Sequence, residues 1–267
     1  MPANELRIRI GVGGWNYPPW RGVFYPKGLP HSRELEYASR RFTSIEIDST
    51  YYGSKTPETF ARWRDETPDD FVFAVKGPRF ATNRRVLAEA GPSVERFFKT
   101  GVTELRGKLG PVNWQFAATK RFDPDDFGGF LKLLPSSVDG LAIRHAVEVR
   151  NDSFRTGEFI ALARAHGVAV VVAGDSKFPL IADPTAPIVY ARIMGTAETE
   201  KLGYSGEALD AWAKWALAWA NGGAPPDLAS VGESTAAAAG RDVFLYVISG
   251  FKALNPAAAM GLIERLR

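Results

Sequence analysis

Short apolar runs alternate along the chain with segments in which apolar residues recur every three or four positions. Eight of the runs are typical of β-strands, at residues 8–12, 44–47, 71–75, 112–116, 146–149, 169–173, 188–193 and 243–248. Six of the intervening segments predict helices, at residues 33–41, 57–65, 124–134, 156–166, 207–220 and 256–267. A strand followed by a helix, repeated along the chain, predicts parallel strand pairing.

The predicted fold class is therefore α/β. Residues 168–173 are apolar at every position, which is typical of parallel strands that are covered on both faces. Eight strands in 267 residues favour closure into a TIM-type (β/α)8 barrel, with an open doubly wound sheet as the alternative. Because no stretch has the composition of a linker, we expect a single domain over residues 1–267.

Charged or amide residues stand at the carboxyl end of most predicted strands. They are Glu46, Asp48, Lys76, Gln115, Glu148, Arg150, Asp175 and Arg192. In a barrel these ends meet at one mouth, where the active sites of this fold lie. Side chains alternate along a strand, so Glu46 and Asp48 share one face, as do Glu148 and Arg150. Because buried charges need partners or a ligand, the pattern indicates a functional cavity.

These charges suit acid–base chemistry on a small anionic or sugar-like molecule. The acid or base would be Glu148 or Glu46, with Asp175 as a third catalytic candidate. The substrate-binding candidates at the strand ends are Lys76, Gln115, Arg150 and Arg192. Two other interpretations stay open: a closed network of salt bridges that fills the barrel, and a register in which some charges point outward. The interleaved cations oppose a metal ion, and the sequence leaves the cofactor unknown.

A glycine-rich turn after the first predicted strand leads into an aromatic segment. The sequence GVGG at residues 11–14 continues as WNYPPW rather than as a helix, so the dinucleotide-binding fingerprint is not met. The turn would present aromatic rings near the mouth, where they would stack on a flat or sugar-like ligand. A hydrophobic lid packed over the barrel rim is an equally favoured interpretation.

Composition and charge restrict the partners. Lys and Arg outnumber Asp and Glu by 33 to 30 and are spread along the chain, which favours a small-molecule partner over nucleic acid. A nucleic-acid or ligand-binding module without catalysis is the alternative function, and it draws on the pI of about 9.1. The chain has no cysteine, and its three histidines lack metal-binding spacing. With neither a secretory signal nor an apolar run of spanning length, we expect a cytoplasmic location and no membrane partner.

Several segments resemble the YecE-like family, which is catalogued as domain of unknown function 72. They are GVGGWNYPPWRGVFYP at residues 11–26, FTSIEIDSTYYGSKTPETFARWRDETPDDFVFAVKGPRFAT at 42–82, LGPVNWQF at 109–116, HAVEVRNDSF at 145–154 and IVYARIMGT at 188–196. The resemblance implies a TIM-type barrel without a settled activity. Carried over onto matching positions, it adds Trp15, Trp20, Arg21, Tyr25 and Tyr51 to the candidate site residues.

The chain departs from the family pattern at three places. The family often has histidine where this chain has Asn83, and again where it has Met194. Its last strand usually ends in paired asparagines, where this chain reads YVISGF at residues 246–251. These departures remove polar groups from the proposed mouth, so we expect either a different ligand or a lost activity.

Overall fold

The computed structural model describes residues 8–228, 230–233 and 240–267. Residues 1–7, on which the expectation about a secretory signal depends, lie outside the described residues. The strands of the described chain are β1 (Ile8–Gly13), β2 (Ser44–Ile47), β3 (Val72–Lys76), β4 (Leu109–Gln115), β5 (Ser137–Val138), β6 (Leu141–Ala142), β7 (His145–Glu148), β8 (Ala169–Val170), β9 (Val172–Gly174), β10 (Ile188–Ile193) and β11 (Asp242–Val247). The predicted strands are confirmed to within a few residues at each end.

The helices occupy the segments between the strands. In the described chain they are α1 (Glu34–Ser39), α2 (Ser49–Tyr52), α3 (Pro57–Asp65), α4 (Arg79–Thr82), α5 (Gly91–Phe98), α6 (Pro124–Lys132), α7 (Gly157–Ala165), α8 (Gly206–Ala220) and α9 (Asn255–Arg265). Short 3-10 turns occur at Pro18–Trp20, His31–Arg33, Leu87–Glu89, Val102–Lys108, Asp152–Phe154 and Lys252–Leu254. All six predicted helices are present. No helix among the described residues is long and apolar enough to cross a membrane.

Nine strands form one parallel sheet in the order β8-β7-β4-β3-β2-β1-β11-β10-β9. Strands β8 and β9 belong to one stretch of chain that is interrupted at Val171. The first of them pairs with β7 and the second with β10. The two edges of the sheet therefore lie side by side, and the sheet curls into a nearly closed barrel. This arrangement confirms the predicted α/β barrel of the TIM type and excludes the open doubly wound sheet.

A small apolar cluster fills the barrel interior on the amino-terminal side of the charged strand ends. Its members include Ala74, Ala146, Tyr190 and Tyr246, which alternate along their strands with residues of the larger outer core. Strands β1 and β2 approach closely at Gly11, where a Cβ atom would lie 1.7 Å from the carbonyl oxygen of its register partner Ser44. The inward positions nearer the carboxyl ends of the strands are polar, so the apolar filling ends where the candidate site begins.

The helices pack on the outward faces of the strands. Four of them begin after residues whose side chains accept a hydrogen bond from the first turn: Thr56, Asp123, Thr156 and Ser205. Because each of these four helices lies in the segment that leaves the carboxyl end of a barrel strand, its capping residue ends the loop region at the barrel mouth. The capping therefore fixes the length of those loops.

Three kinds of element were not predicted. The single-turn helices α2 and α4 follow β2 and β3 directly. Helix α5 begins with glycine and proline and buries Val94, Phe97 and Phe98 against the barrel. The hairpin of β5 and β6 turns at Asp139 and Gly140, which both have positive φ. All three are short, so they contribute little periodicity to the sequence.

Candidate active site

Three charged side chains meet inside the barrel at the carboxyl ends of three strands. Glu46 comes from β2, Glu148 from β7 and Arg192 from β10. The Nη1 atom of Arg192 donates to Glu148 Oε2 over 2.5 Å, and its Nη2 atom donates to Glu46 Oε1 over 3.0 Å. The glutamate side chains are fully buried, and that of Arg192 is 2% exposed. The alternation of side chains along these strands thus turns the charges inward.

Two neutral side chains extend this arrangement. The Nδ2 atom of Asn113 lies 3.3 Å from Oε2 of both Glu46 and Glu148, and the Tyr190 hydroxyl donates to Glu46 Oε2. We call the set formed by Glu46, Asn113, Glu148, Tyr190 and Arg192 the charge network. Its buried carboxylates are satisfied by donors from neighbouring strands, as a buried charge requires.

Charge pairing keeps both glutamates ionised. Burial by itself would raise the pKa of Glu46, but the positive charges of Arg192 and Lys76 outweigh it and lower the pKa to about 2. Burial acts in the same direction on Glu148, and the charges of Arg192 and Arg150 again outweigh it, so its pKa is lowered as well. Neither carboxylate is set to exchange a proton near neutral pH.

Lys76 and Asp48 lie beside the charge network and face the mouth. The Nζ atom of Lys76 donates to Gln115 Oε1 over 2.7 Å and lies 3.3 Å from Asp48 Oδ1. Burial and the negative charge of Glu46 raise the pKa of Asp48 to about 6, and Lys76 opposes that rise only in part. Asp48 is half-buried. It can therefore gain or lose a proton close to neutral pH.

An open cleft of about 700 Å³ lies at the mouth. On one side Arg150 donates to Glu148 Oε1 over 2.8 Å and lies 4.3 Å from the ring centre of Phe178. The cationic lining residues are Lys76, Arg150, Lys177, Arg192 and Lys252, and the lining carboxylates are Asp48 and Asp175. We call it the cationic cleft. Because Arg150 and Arg192 pair with the buried Glu148 and Glu46, the positive charge that a ligand would meet comes chiefly from Lys76, Lys177 and Lys252, and it favours anionic molecules.

Asp175 lies at the rim of the cleft, apart from the charge network. It has a positive φ of 51°, and its Oδ2 atom accepts a hydrogen bond from Trp212 Nε1 over 2.9 Å. The side chain is thereby held in one orientation next to the cleft. Its predicted catalytic role stays a prediction.

The aromatic segment after β1 packs largely onto the rim of the barrel. Trp20 is 2% exposed, and its indole N–H donates to the carbonyl oxygen of Lys252 over 2.7 Å. Tyr25 is 1% exposed, and its hydroxyl donates to the carbonyl oxygen of Trp15 over 2.7 Å. Trp15 meets Trp63 edge-on at 5.1 Å. These contacts favour the lid interpretation for Tyr25, while Trp15 and Trp20 also line a second cavity beside the cleft.

Two neighbouring tyrosines on α2 contact different surroundings. The ring centre of Tyr51 lies 5.2 Å from Lys76 Nζ, so Tyr51 supports that ammonium group. Tyr52 is 67% exposed and lines the cationic cleft itself. The resemblance selected Tyr51 and Arg21 as site residues. Arg21 forms an ion pair with Glu34 at 2.8 Å and lines neither the cationic cleft nor the second cavity.

Some site residues were not selected from the sequence. Asn113 lies two positions before Gln115, and Tyr190 lies two positions before Arg192, so strand alternation places each on the same face as a selected residue. That signal could have identified both. Lys252 follows the last strand in a turn, where no periodicity indicates which side chain reaches the mouth.

The positions that depart from the family pattern lie partly in the cleft. Met194, Ile248 and Ser249 line it, and Asn83 is exposed on the turn after α4. Met194 and Ile248 thus make part of the cleft wall apolar, while a changed ligand or a lost activity stays a prediction.

The described ranges contain no group of three or more histidine, aspartate or glutamate side chains that could hold a metal ion. Glu46 and Glu148 both accept hydrogen bonds from the guanidinium group of Arg192. The positive charge between these two carboxylates is therefore supplied by the chain itself.

Comparison with known proteins agrees with this fold. The sequence pattern of a family described as "Protein of unknown function DUF72" matches residues 9–267. Over 142 residues the chain is 31% identical to the UPF0759 protein YecE of Escherichia coli (strain K12). The aligned region covers 52% of this chain and 48% of that protein. The chain thus spans about half the length of the curated relatives it matches.

Two solved structures extend the comparison to the whole barrel. A DUF72 family protein from Thermotoga maritima MSB8 is 21% identical with a TM-score of 0.73, and the match covers 97% of this chain and 98% of that one. A DUF72 family protein from Enterococcus faecalis V583 is 16% identical with a TM-score of 0.72, covering 97% and 95%. At these identities the likeness shows the fold.

Proposed function

The chain belongs to the DUF72 family, whose description gives no activity, and we propose from the site itself that the protein is an enzyme acting on a small anionic molecule. The molecule would bind in the cationic cleft, and Asp48 would act as general acid or base. The observation that carries this proposal is the position of Asp48, which lines the cleft with its carboxyl group 3.3 Å from Lys76 Nζ.

The walls of the cleft support anion binding. An ammonium group has three N–H donors and a guanidinium group has five, and the contacts of Lys76 with Gln115 and of Arg150 with Glu148 use only some of them. The remaining donors can bind a phosphate, sulfate or carboxylate group. Lys177, at the rim, adds positive charge that attracts an anion toward the cleft.

The surroundings of Asp48 support proton transfer. A carboxyl group with a pKa of about 6 changes its protonation near neutral pH, as a general acid or base must. The charged groups that face it are Glu46, Lys76 and Arg192. An anion bound at Lys76 would cancel part of that positive charge and raise the pKa of Asp48 further. Binding should therefore draw a proton onto Asp48.

The charge network supports the site from beneath. Glu46 and Glu148 hold Arg192, and Glu148 also orients Arg150. Because their oxygens already accept hydrogen bonds and their pKa values are lowered, their geometry favours a positioning role, and we transfer the acid–base role to Asp48.

Calorimetric titration with sulfate, an anion that does not titrate near neutral pH, tests both parts of the proposal. At pH 7 in two buffers of different ionisation enthalpy, we expect wild-type protein to bind sulfate and take up a fraction of a proton. Asp48→Asn should bind sulfate without proton uptake. Lys76→Met should weaken sulfate binding by about tenfold or more, because a charge-assisted hydrogen bond is lost. Lys214→Met, an exposed lysine on α8, is the matched control.

Each outcome of the titration tests a separate part of the proposed function. Sulfate binding without proton uptake in the wild type would favour a ligand-binding module over an acid–base enzyme. Equal behaviour of Lys76→Met and Lys214→Met would remove the cleft as an anion site. Binding of an oligonucleotide that weakens steeply with salt, with no sulfate binding, would favour the nucleic-acid alternative.

A further inference from the structure

A second cavity of about 280 Å³ opens directly beside the cationic cleft. Asp48, Tyr52, Ile248 and Lys252 line both spaces. The two cavities are therefore halves of one groove, with these four residues at the junction. We call the second half the aromatic compartment. A ligand seated on Lys76 could extend past Asp48 into it.

The aromatic compartment differs in chemistry from the cleft. It is lined by the aromatic residues Trp15, Tyr17 and Trp20 and by the polar residues Asn16 and Ser49. The Tyr17 and Trp20 rings meet edge-on with centres 5.7 Å apart, and Trp20 is anchored by its hydrogen bond to the carbonyl of Lys252. Ring packing and this hydrogen bond thus hold the aromatic wall in place, and an asparagine and a serine lie beside it.

Glycine keeps this compartment open. A Cβ atom at Gly13 would lie 2.8 Å from Asp48 Oδ2 and 3.1 Å from Ile248 Cδ1. The bare backbone at Gly13 therefore leaves room for both junction side chains. Gly14, with a φ of +68°, then turns the chain outward into the aromatic segment. The glycine-rich sequence thus shapes a ring-sized space instead of a dinucleotide loop.

Aromatic rings flanked by amide, hydroxyl and carboxylate groups match the surface of a sugar. The C–H faces of a sugar ring pack against aromatic rings, and its hydroxyl groups bond to polar side chains. Building on the proposed function, we infer that the ligand is a phosphorylated sugar, with its phosphate in the cationic cleft and its sugar ring in the aromatic compartment. Asp48, at the junction, would then lie next to the part of the sugar that carries the phosphate.

Affinity measurements with whole and partial ligands test this inference. With the full chain, we expect glucose 6-phosphate or ribose 5-phosphate to bind at least about tenfold tighter than inorganic phosphate. Tyr17→Ala and, as a less buried second variant, Asn16→Ala should each reduce that ratio toward one. Phe80→Ala removes a ring that is 62% exposed and lies outside both halves of the groove, and it should leave the ratio unchanged. Thermal melts establish that each variant is folded.

The possible failures are distinguishable. If inorganic phosphate binds and neither sugar phosphate binds more tightly, the sugar inference is wrong and the anion site stands. If adenosine monophosphate binds tighter than both sugar phosphates and Tyr17→Ala removes that gain, the compartment takes a planar base instead of a sugar. If none of these compounds binds, the proposed function fails together with the inference.

Discussion

Replacing Arg192 by methionine should turn the charge network from a stabilising into a destabilising feature. In the wild type the network lowers the pKa of Glu46 to about 2. The pKa of a glutamate in the unfolded chain is about 4.3. The difference between the unfolded and folded pKa values of Glu46 corresponds to roughly 3 kcal/mol of stability at neutral pH. Arg192→Met removes the largest of the charges behind this contribution, which Lys76 shares, and leaves Glu46 and Glu148 buried with fewer partners. We therefore expect a loss of roughly 3–5 kcal/mol at pH 7.

The pH dependence of the loss identifies its cause. In the wild type the lowered pKa of Glu46 makes its contribution fully present above about pH 4.3 and lost as the pH falls toward 2. Without Arg192, burial should raise the glutamate pKa values above their unfolded values. The variant should then lose stability as the pH rises, so its deficit relative to wild type should shrink as the pH falls from about 8 to 5.

Urea denaturation followed by tryptophan fluorescence measures this deficit at each pH. Arg62→Met is the matched control, because Arg62 pairs with Glu66 at 3.7 Å on the surface and is 64% exposed. We expect a small effect of that change at every pH. A deficit below about 1 kcal/mol for Arg192→Met, constant across the pH range, would refute the reasoning. So would a failure of Glu46→Gln to restore stability in the Arg192→Met background.

Two further predictions concern the barrel itself. Gly11→Ala should prevent folding, because the added Cβ atom would lie 1.7 Å from the carbonyl oxygen of Ser44. At Gly157 an added Cβ atom would meet open space, so Gly157→Ala should leave the melting temperature unchanged or raise it slightly. His145, whose Nδ1 accepts from Trp114 Nε1 over 3.1 Å, has a pKa lowered by burial to about 4. The neutral His145 therefore favours the folded state fully above about pH 6.5, and this contribution to stability is lost as the pH falls toward 4. His145→Phe should remove roughly 3 kcal/mol of this acid destabilisation, measured by urea denaturation at a series of pH values. An unchanged dependence of stability on pH in that range would contradict the prediction.

The strands were predictable because their signal is local. A strand covered on both faces is a continuous apolar run, and the polar residue that ends it marks the mouth of the barrel. The inward direction of Glu46 and Glu148 also follows from alternation within one strand. The interruption of the strand at Val171 was not predictable, because it depends on pairing with β7 on one side and β10 on the other.

The roles of individual site residues depend on distant partners. Glu46 lies on β2 and Asp48 directly follows that strand, yet the pKa of Glu46 is lowered and that of Asp48 raised, because Arg192 contacts Glu46 directly. Trp20 is anchored by Lys252, a residue 232 positions away along the chain. No pattern within either segment encodes these contacts, so the sequence could identify the candidate residues but not divide their roles.

The charge network has a consequence for how the barrel closes during folding. Arg192 joins strands whose residues are separated by 44 and 146 positions, so its contacts form only when distant parts of the chain have come together. A slip of β10 by one residue would turn Arg192 toward the helices and leave two carboxylates unpaired in the interior. The network therefore penalises misregistered closure and selects a single alignment of the final strands.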